Sequence, residues 1–259
     1  RNVLIAFVFG VLSLLLYHRS LQTLGIRKLF LWLGSIFCFT LTLSSAEAGI
    51  AIIGYFLAYL LFHPKPSKRT WVMLFPHLLV FIMWVTFYRT GNFGGWGTSY
   101  IDPVREWKPF LLAVFERIPV LGLGFFAYPP AELFPFITTA WVKYLWVGAG
   151  LGVMILLAMS FYPIVRQNKN LEFLLAGAGF SLFLIGSSLP ANRLLFFVGV
   201  GGFAVIASYL LDVKGRIWLK RPLWLIHLFA AITLLPIMAY SPKLFGNIEP
   251  VILSASIKP

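Results

Sequence analysis

Apolar runs approaching 20 residues recur along this chain with short polar breaks between them, and no other feature limits its fold as strongly. A helix needs about 20 such residues to cross a hydrocarbon layer of roughly 30 Å. Within lipid, only helices and closed barrels satisfy their own backbone polar groups. With 60% hydrophobic and 11% charged residues, a water-soluble domain would expose more apolar surface than such domains tolerate. The runs fall at 3–17, 28–44, 48–62, 71–88, 136–163, 171–188, 194–211 and 223–240. The predicted fold class is therefore all-α, a polytopic membrane helix bundle of about eight transmembrane helices. The stretch 109–127 is apolar too, yet it carries Glu116, Arg117 and Pro119 in its middle. Such residues are costly against lipid and acceptable at an interface or inside protein. An interfacial or re-entrant helix on the outer side is predicted there. The expected organisation is one transmembrane domain over 1–259, with an outer loop at 89–135 that carries this helix. The chain opens with Arg1-Asn2 directly into a span, so it is expected to be the later part of a longer protein.

Basic residues set the orientation, because short cytoplasmic loops are enriched in Lys and Arg. With 109–127 not crossing, one side collects Arg19, Arg27, Lys28, Lys65, Lys68, Arg69, Arg166, Lys169, Lys214, Arg216, Lys220 and Arg221, 12 of the 21 basic residues. If 109–127 crossed, the last two of these loops would move to the opposite side and the bias would vanish. The net charge of +13 is thus largely a topology signal. No segment offers the basic, aromatic-studded soluble face that a nucleic-acid partner needs, and membrane lipids are the expected neighbours.

The opposite side holds Glu47, Asp102, Glu106, Glu116 and Glu132, and chemistry is expected there. Glu47 sits in Ser-Ser-Ala-Glu-Ala-Gly between two spans. There it is either a carboxylate with little solvent that must find a partner, or the end of a capping box begun by Ser44; the two roles are compatible. Residues 88–103 hold four glycines and the rings of Phe93, Trp96 and Tyr100. These suit a backbone folded over a ligand with flat rings to stack on it, and equally an aromatic belt at the head-group level. Asp102, Arg105, Glu106, Lys108, Glu116 and Arg117 follow. Mixed acids and arginines beside an apolar cavity suit an anionic head group with a general base nearby, or a set of surface ion pairs. Arg193 opens a span on the same side, where a guanidinium can clamp a phosphate or snorkel to lipid. The candidate catalytic residues are Glu47, Asp102 and Glu116; the candidate substrate-binding residues are Arg105, Arg117, Arg193, Trp96 and Tyr100.

The four histidines lack metal-ligand spacing and Cys38 stands alone, so neither a metal site nor a cofactor is predicted. Gly148-x-x-x-Gly152 reads as a close helix-packing motif. P-loop, GxGxxG and GxSxG patterns are absent. Charges gathered at one surface, away from the midplane, fit a head-group-level site better than a pore.

The succession Ala-Glu-Ala-Gly (46–49), Tyr-Arg-Thr-Gly-x-Phe-Gly-x-x-Gly (88–97), Tyr-Ile-Asp-Pro (100–103), Phe-Leu-Leu-Ala-Val-Phe-Glu-Arg-Ile-Pro-Val-Leu (110–121) and Pro-Ala-Asn-Arg-Leu-Leu-Phe (190–196) resembles multi-span bacterial proteins of the GT-C-like glycosyltransferase superfamily. More distantly it resembles the membrane part of O-mannosyltransferases that carry TPR repeats. The resemblance covers roughly residues 40–211. It implies transfer of a sugar from a polyprenyl-phosphate donor at the outer face of the bacterial cytoplasmic membrane. It places Glu47 and Glu116-Arg117 at recurring positions, and Arg193 near the lipid phosphate. The family's acidic catalytic residue belongs to a first outer loop that would lie upstream of Arg1. The alternative from another class is a non-catalytic structural or accessory subunit whose glycine and aromatic faces pack on partner membrane subunits.

Overall fold

The computed structural model describes residues 2–62, 68–91, 93, 100–103, 105–212, 216–229 and 232. Trp96 lies outside them, as do most of residues 230–240 of the expected last span. Among the described residues every regular element is helical: α1 (Asn2–Gln22), α2 (Ile26–Ser45), α3 (Ile53–Phe62), α4 (Lys68–Thr90), α5 (Trp107–Phe126), α6 (Ala140–Gln167), α7 (Lys169–Ile185), α8 (Phe196–Leu211) and α9 (Ile217–Phe229), with 3₁₀ turns at Glu47–Ile52, Ala131–Phe136 and Asn192–Leu194. The chain divides into Arg1–Asp212 and Val213–Pro259. Within the second unit α9 carries Lys220, Arg221 and Pro222.

α1, α2, α5, α6 and the Thr70–Thr90 part of α4 are long and apolar enough to cross a membrane, so the architecture is that of a helical membrane bundle. α7 has 17 residues and α8 has 16. The expected span 48–62 is a 3₁₀ turn of six residues followed by α3 of ten, which sum to about 27 Å of rise.

Large apolar side chains point outward, among them Val72, Leu112, Phe115 and Tyr144, while small and hydroxyl-bearing residues fill the seams between helices. That distribution suits helices whose solvent is lipid, where close backbone approach and interhelical hydrogen bonds hold the bundle. Between α1 and α2, Ser13 Oγ donates to the Ser35 carbonyl and Ser35 Oγ to the Ser13 carbonyl, each at 2.8 Å. Between the first 3₁₀ turn and α7, Ser181 Oγ donates to the Ala51 carbonyl at 2.6 Å. Tyr55, fully buried, joins α3 to α8: its hydroxyl donates to the Phe197 carbonyl at 2.7 Å and accepts the Gly201 N–H at 2.8 Å. Residues 197 and 201 are the pair that an uninterrupted helix would bond directly, so the tyrosine inserts into the ladder. A Cβ on Gly201 would meet the Leu174 carbonyl, which is why α7 and α8 can lie so close.

The expected Gly148/Gly152 seam is corrected: a Cβ at either position would touch nothing within 4 Å, and the glycine that packs is Gly150, against the Pro119 carbonyl. The expected capping box at Ser44 is corrected too. α2 continues through Ser45, whose hydroxyl donates back to the Leu41 carbonyl at 2.6 Å. Ser44 is therefore at a helix end, not a helix start.

α5 is one continuous helix of 20 residues through Pro119. Its partners on α6 rise in step: Pro119 meets Gly150, Gly122 meets Met154, and Phe126 meets Phe161. Consecutive α5 and α6 therefore run parallel, and residues 127–139 return along them. Ala131 lies beside Gly124, and Phe134 packs on Trp146 at 6.0 Å between ring centroids.

Candidate functional site

α2 ends at Ala46, whose extended backbone (φ −160°, ψ 147°) turns the chain into the 3₁₀ segment. The turn folds back on α2 through the Gly49 N–H to the Ala46 carbonyl, 2.9 Å. This leaves Glu47 exposed at the end of the bundle where α4 finishes and α5 begins, and there it borders a cavity of about 730 Å³. The expectation of little solvent around Glu47 does not hold. The Tyr88 side chain lies beside Glu47.

One wall is the last part of α4, where Phe81, Trp84, Val85, Tyr88 and Arg89 share a face at helical spacing. Trp84 and Tyr88 stack at 4.9 Å with an interplanar angle of 22°, and Phe93 lies 5.8 Å from Tyr88. The facing wall carries Tyr100, Asp102, Arg105 and Glu106, with Phe110 of α5 and Ser187 and Ser188 after α7. Asp102 organises it: its Oδ1 accepts from Arg89 Nη2 at 2.8 Å and from the Arg105 N–H at 3.2 Å. The Asp102 carbonyl receives the Glu106 N–H at 2.9 Å, just ahead of α5. Burial holds the Tyr100 phenol above its usual pKa, and Asp102 and Glu47 reinforce this against the opposing effect of Arg89. Tyr100 is thus a hydrogen-bond donor at neutral pH.

Sequence reading and structure overlap on four residues: Glu47, Tyr100, Asp102 and Arg105 meet around one cavity. Asp102 is committed to Arg89, whereas no cation pairs with Glu47 and no carboxylate with the Arg105 side chain among the described residues. Glu116 is elsewhere, exposed on the outer face of α5 beside Leu112 and Phe115. Arg193 is exposed in the 3₁₀ turn before α8 and does not border the cavity, although Leu194 does.

Arg117 lies behind the site. It is buried, and its Nη1 donates to the carbonyls of Gly186, Ser187 and Ser188 at 3.1, 2.9 and 3.1 Å. It neutralises the carbonyl end of α7 and fixes Ser187, whose carbonyl also receives the Ile101 N–H at 2.9 Å. Nearby, Glu132 accepts the Asn192 N–H at 2.6 Å while Asn192 Oδ1 accepts the Ala131 N–H at 3.2 Å, pinning the returning segment to the start of α8. Among the described residues no group of three or more His, Cys, Asp and Glu side chains is arranged to hold a metal ion.

The α4 wall was missed by the site reading. Its signal was present as an aromatic stripe at 81, 84 and 88 ending in Arg89, but such a stripe at the end of a span reads first as a membrane-interface belt. Compared with known proteins, the chain matches no family model, no curated protein and no solved structure.

Proposed function

We propose that this cavity is the donor site of a GT-C-like membrane glycosyltransferase, holding a polyprenyl-phosphate-linked sugar at the outer face of the bacterial cytoplasmic membrane. In this reading α5 is the re-entrant helix of the outer segment 89–135. The parallel run of α5 and α6 supports that placement, because a chain that crossed once and turned would pack its next helix antiparallel. It also leaves the basic α1–α2, α3–α4 and α6–α7 connections on the cytoplasmic side.

The observation that carries the reading is the meeting, around one cavity, of a stacked aromatic wall with a carboxylate and an arginine that form no ion pair among the described residues. The sugar lies on Trp84 and Tyr88, and Arg105 meets the phosphate through charge-assisted hydrogen bonds. Glu47 accepts the proton of the acceptor hydroxyl while that oxygen bonds to the anomeric carbon. The bond from that carbon to the phosphate oxygen breaks, and its electron pair leaves on the phosphate beside Arg105. Asp102 fixes Arg89.

The test is binding and turnover of a short-chain polyprenyl-phosphate monosaccharide by the protein in nanodiscs. Arg105→Ala should weaken binding about 10-fold, the lower end for a lost charge-assisted hydrogen bond. Glu47→Gln should keep binding and lower turnover ~10² to 10⁴-fold, the usual share of a general base. Binding of the donor that is indifferent to Arg105→Ala would end this reading.

One observation favours a second reading, a non-catalytic subunit of a membrane complex. Gly148 and Gly152 present an exposed small-residue stripe on α6 with open space before it, the surface on which a partner helix packs closely. Co-purification of a membrane partner that is lost in Gly148→Leu would support it.

A further inference from the structure

α4 consists of two mechanically different halves. Its buried residues, Thr70, Met73 and His77, form one stripe at helical spacing, and from Leu78 to Thr90 no residue is buried. The first half is anchored three times: Tyr17 donates to the Thr70 carbonyl at 2.9 Å, Trp32 Nε1 to the Met73 carbonyl at 2.8 Å, and His77 Nε2 shares a hydrogen bond with Ser35 Oγ at 2.9 Å. The His77 ring is also wedged against Tyr17, Phe39 and Phe56, 5.0 to 5.5 Å between centroids. Pro76 stands between the Met73 and His77 anchors, at the end of this half; it has no N–H for the Val72 carbonyl, and its ring opposes a straight helix. The second half, about 20 Å long at helical rise, forms the aromatic wall of the cavity. A polar contact holds its tip, the Arg89–Asp102 ion pair, whose side chains keep 31% and 19% of their exposure.

We propose that this second half of α4 is a hinged gate. Swinging about the Pro76–His77 turn opens the cavity sideways to the bilayer, and Arg89–Asp102 is the latch. No buried apolar stripe has to be exposed for the motion, and the contacts that break are ones that water or an anion can replace. A membrane amphiphile with an anionic head group reaches the cavity without leaving the lipid phase. Its phosphate competes with Asp102 for Arg89, so occupancy and latch release are coupled. The class of ligand rests on the function proposed above; the hinge does not.

Double electron–electron resonance on the protein in nanodiscs tests it, with spin labels on a Cys38→Ala background. One pair joins the exposed tip residue Phe87 to Leu112 on α5; a reference pair joins Val72, before the hinge, to Leu112. The tip pair should give a broad or two-peaked distance distribution and the reference pair a single narrow one. Asp102→Asn and Arg89→Gln should each move the tip pair toward its longer distances and leave the reference pair in place, which also shows that the variants remain folded. Pro76→Ala should narrow the tip pair. A tip distribution as narrow as the reference, unmoved by either latch substitution, overturns the gate. Adding a polyprenyl phosphate should shift the tip pair; a gate that moves in the variants yet ignores this lipid counts against the ligand reading and leaves the hinge standing.

Discussion

The seam where α3, α7 and α8 meet and the cavity between α4 and the start of α5 are opposite solutions to packing in one bundle. At the seam, glycine and hydroxyl residues let backbones touch: Gly54 faces the Ser181 amide, Gly177 faces the Tyr55 ring and Gly201 faces the Leu174 carbonyl. At the cavity, tryptophan, tyrosine and arginine side chains hold the elements apart and leave about 730 Å³ between them. Small residues close helix interfaces, while bulky residues with polar tips keep one open. Stability should therefore reside in the seam and ligand recognition at the cavity, and substitutions should separate the two.

The largest effect is expected from Gly201→Leu. A side chain there meets the Leu174 backbone, which no flexible group can relieve, so the loss should reach or exceed the ~3 kcal/mol upper range for overpacking. Thermal unfolding of the detergent-solubilised protein reads it. Arg117→Met should follow, because the Gly186 and Ser188 carbonyls lose the guanidinium and the Ser187 carbonyl keeps only the Ile101 N–H; a loss of about 2 to 4 kcal/mol is expected from unsatisfied buried polar groups. Tyr55→Phe removes the hydroxyl bridging Phe197 and Gly201 and should cost ~1 to 3 kcal/mol. At the cavity, Asp102→Asn breaks a partly exposed ion pair and should cost under ~1 kcal/mol. A cavity substitution that destabilised as much as Gly201→Leu would erase the distinction between the regions.

The smallest effect concerns pH. Because the folded-state pKa of Tyr100 is raised, the folded protein keeps this proton where the unfolded chain gives it up. The associated stability is intact below the ordinary phenol value of about 10 and is lost as pH rises toward the raised value. Absorbance titration near 295 nm should show a late component that is smaller in Tyr100→Phe than in the wild type.

Much of the fold was readable in the apolar runs. α1, α2, α4, α6, α7 and α8 lie close to their expected bounds, because length and polar breaks alone define a helix in lipid. What escaped depends on contacts distant in sequence. Whether Gly148, Gly150 or Gly152 packs is decided by Pro119, about 30 residues away. The role of Arg117 depends on carbonyls some 70 positions further on. Glu47, Tyr100, Asp102 and Arg105 were legible as site candidates because charges and rings in a loop beside apolar helices have few structural roles. Trp84, Tyr88 and Arg89 were not, since at a span end the same residues also serve as an interface belt. Spacing could not tell that they face a cavity.

The central claim is that the cavity, and not Glu116 or Arg193, receives the donor lipid. Its most direct measurement is the affinity of a polyprenyl-phosphate monosaccharide for wild type, Arg105→Ala, Trp84→Ala and Arg193→Ala in nanodiscs, by native mass spectrometry. The first two variants should each weaken binding about 10-fold, in line with loss of a charge-assisted hydrogen bond or a stacked ring, with Arg193→Ala unchanged. Loss of binding in Arg193→Ala, with Arg105→Ala and Trp84→Ala both at wild-type affinity, would contradict it.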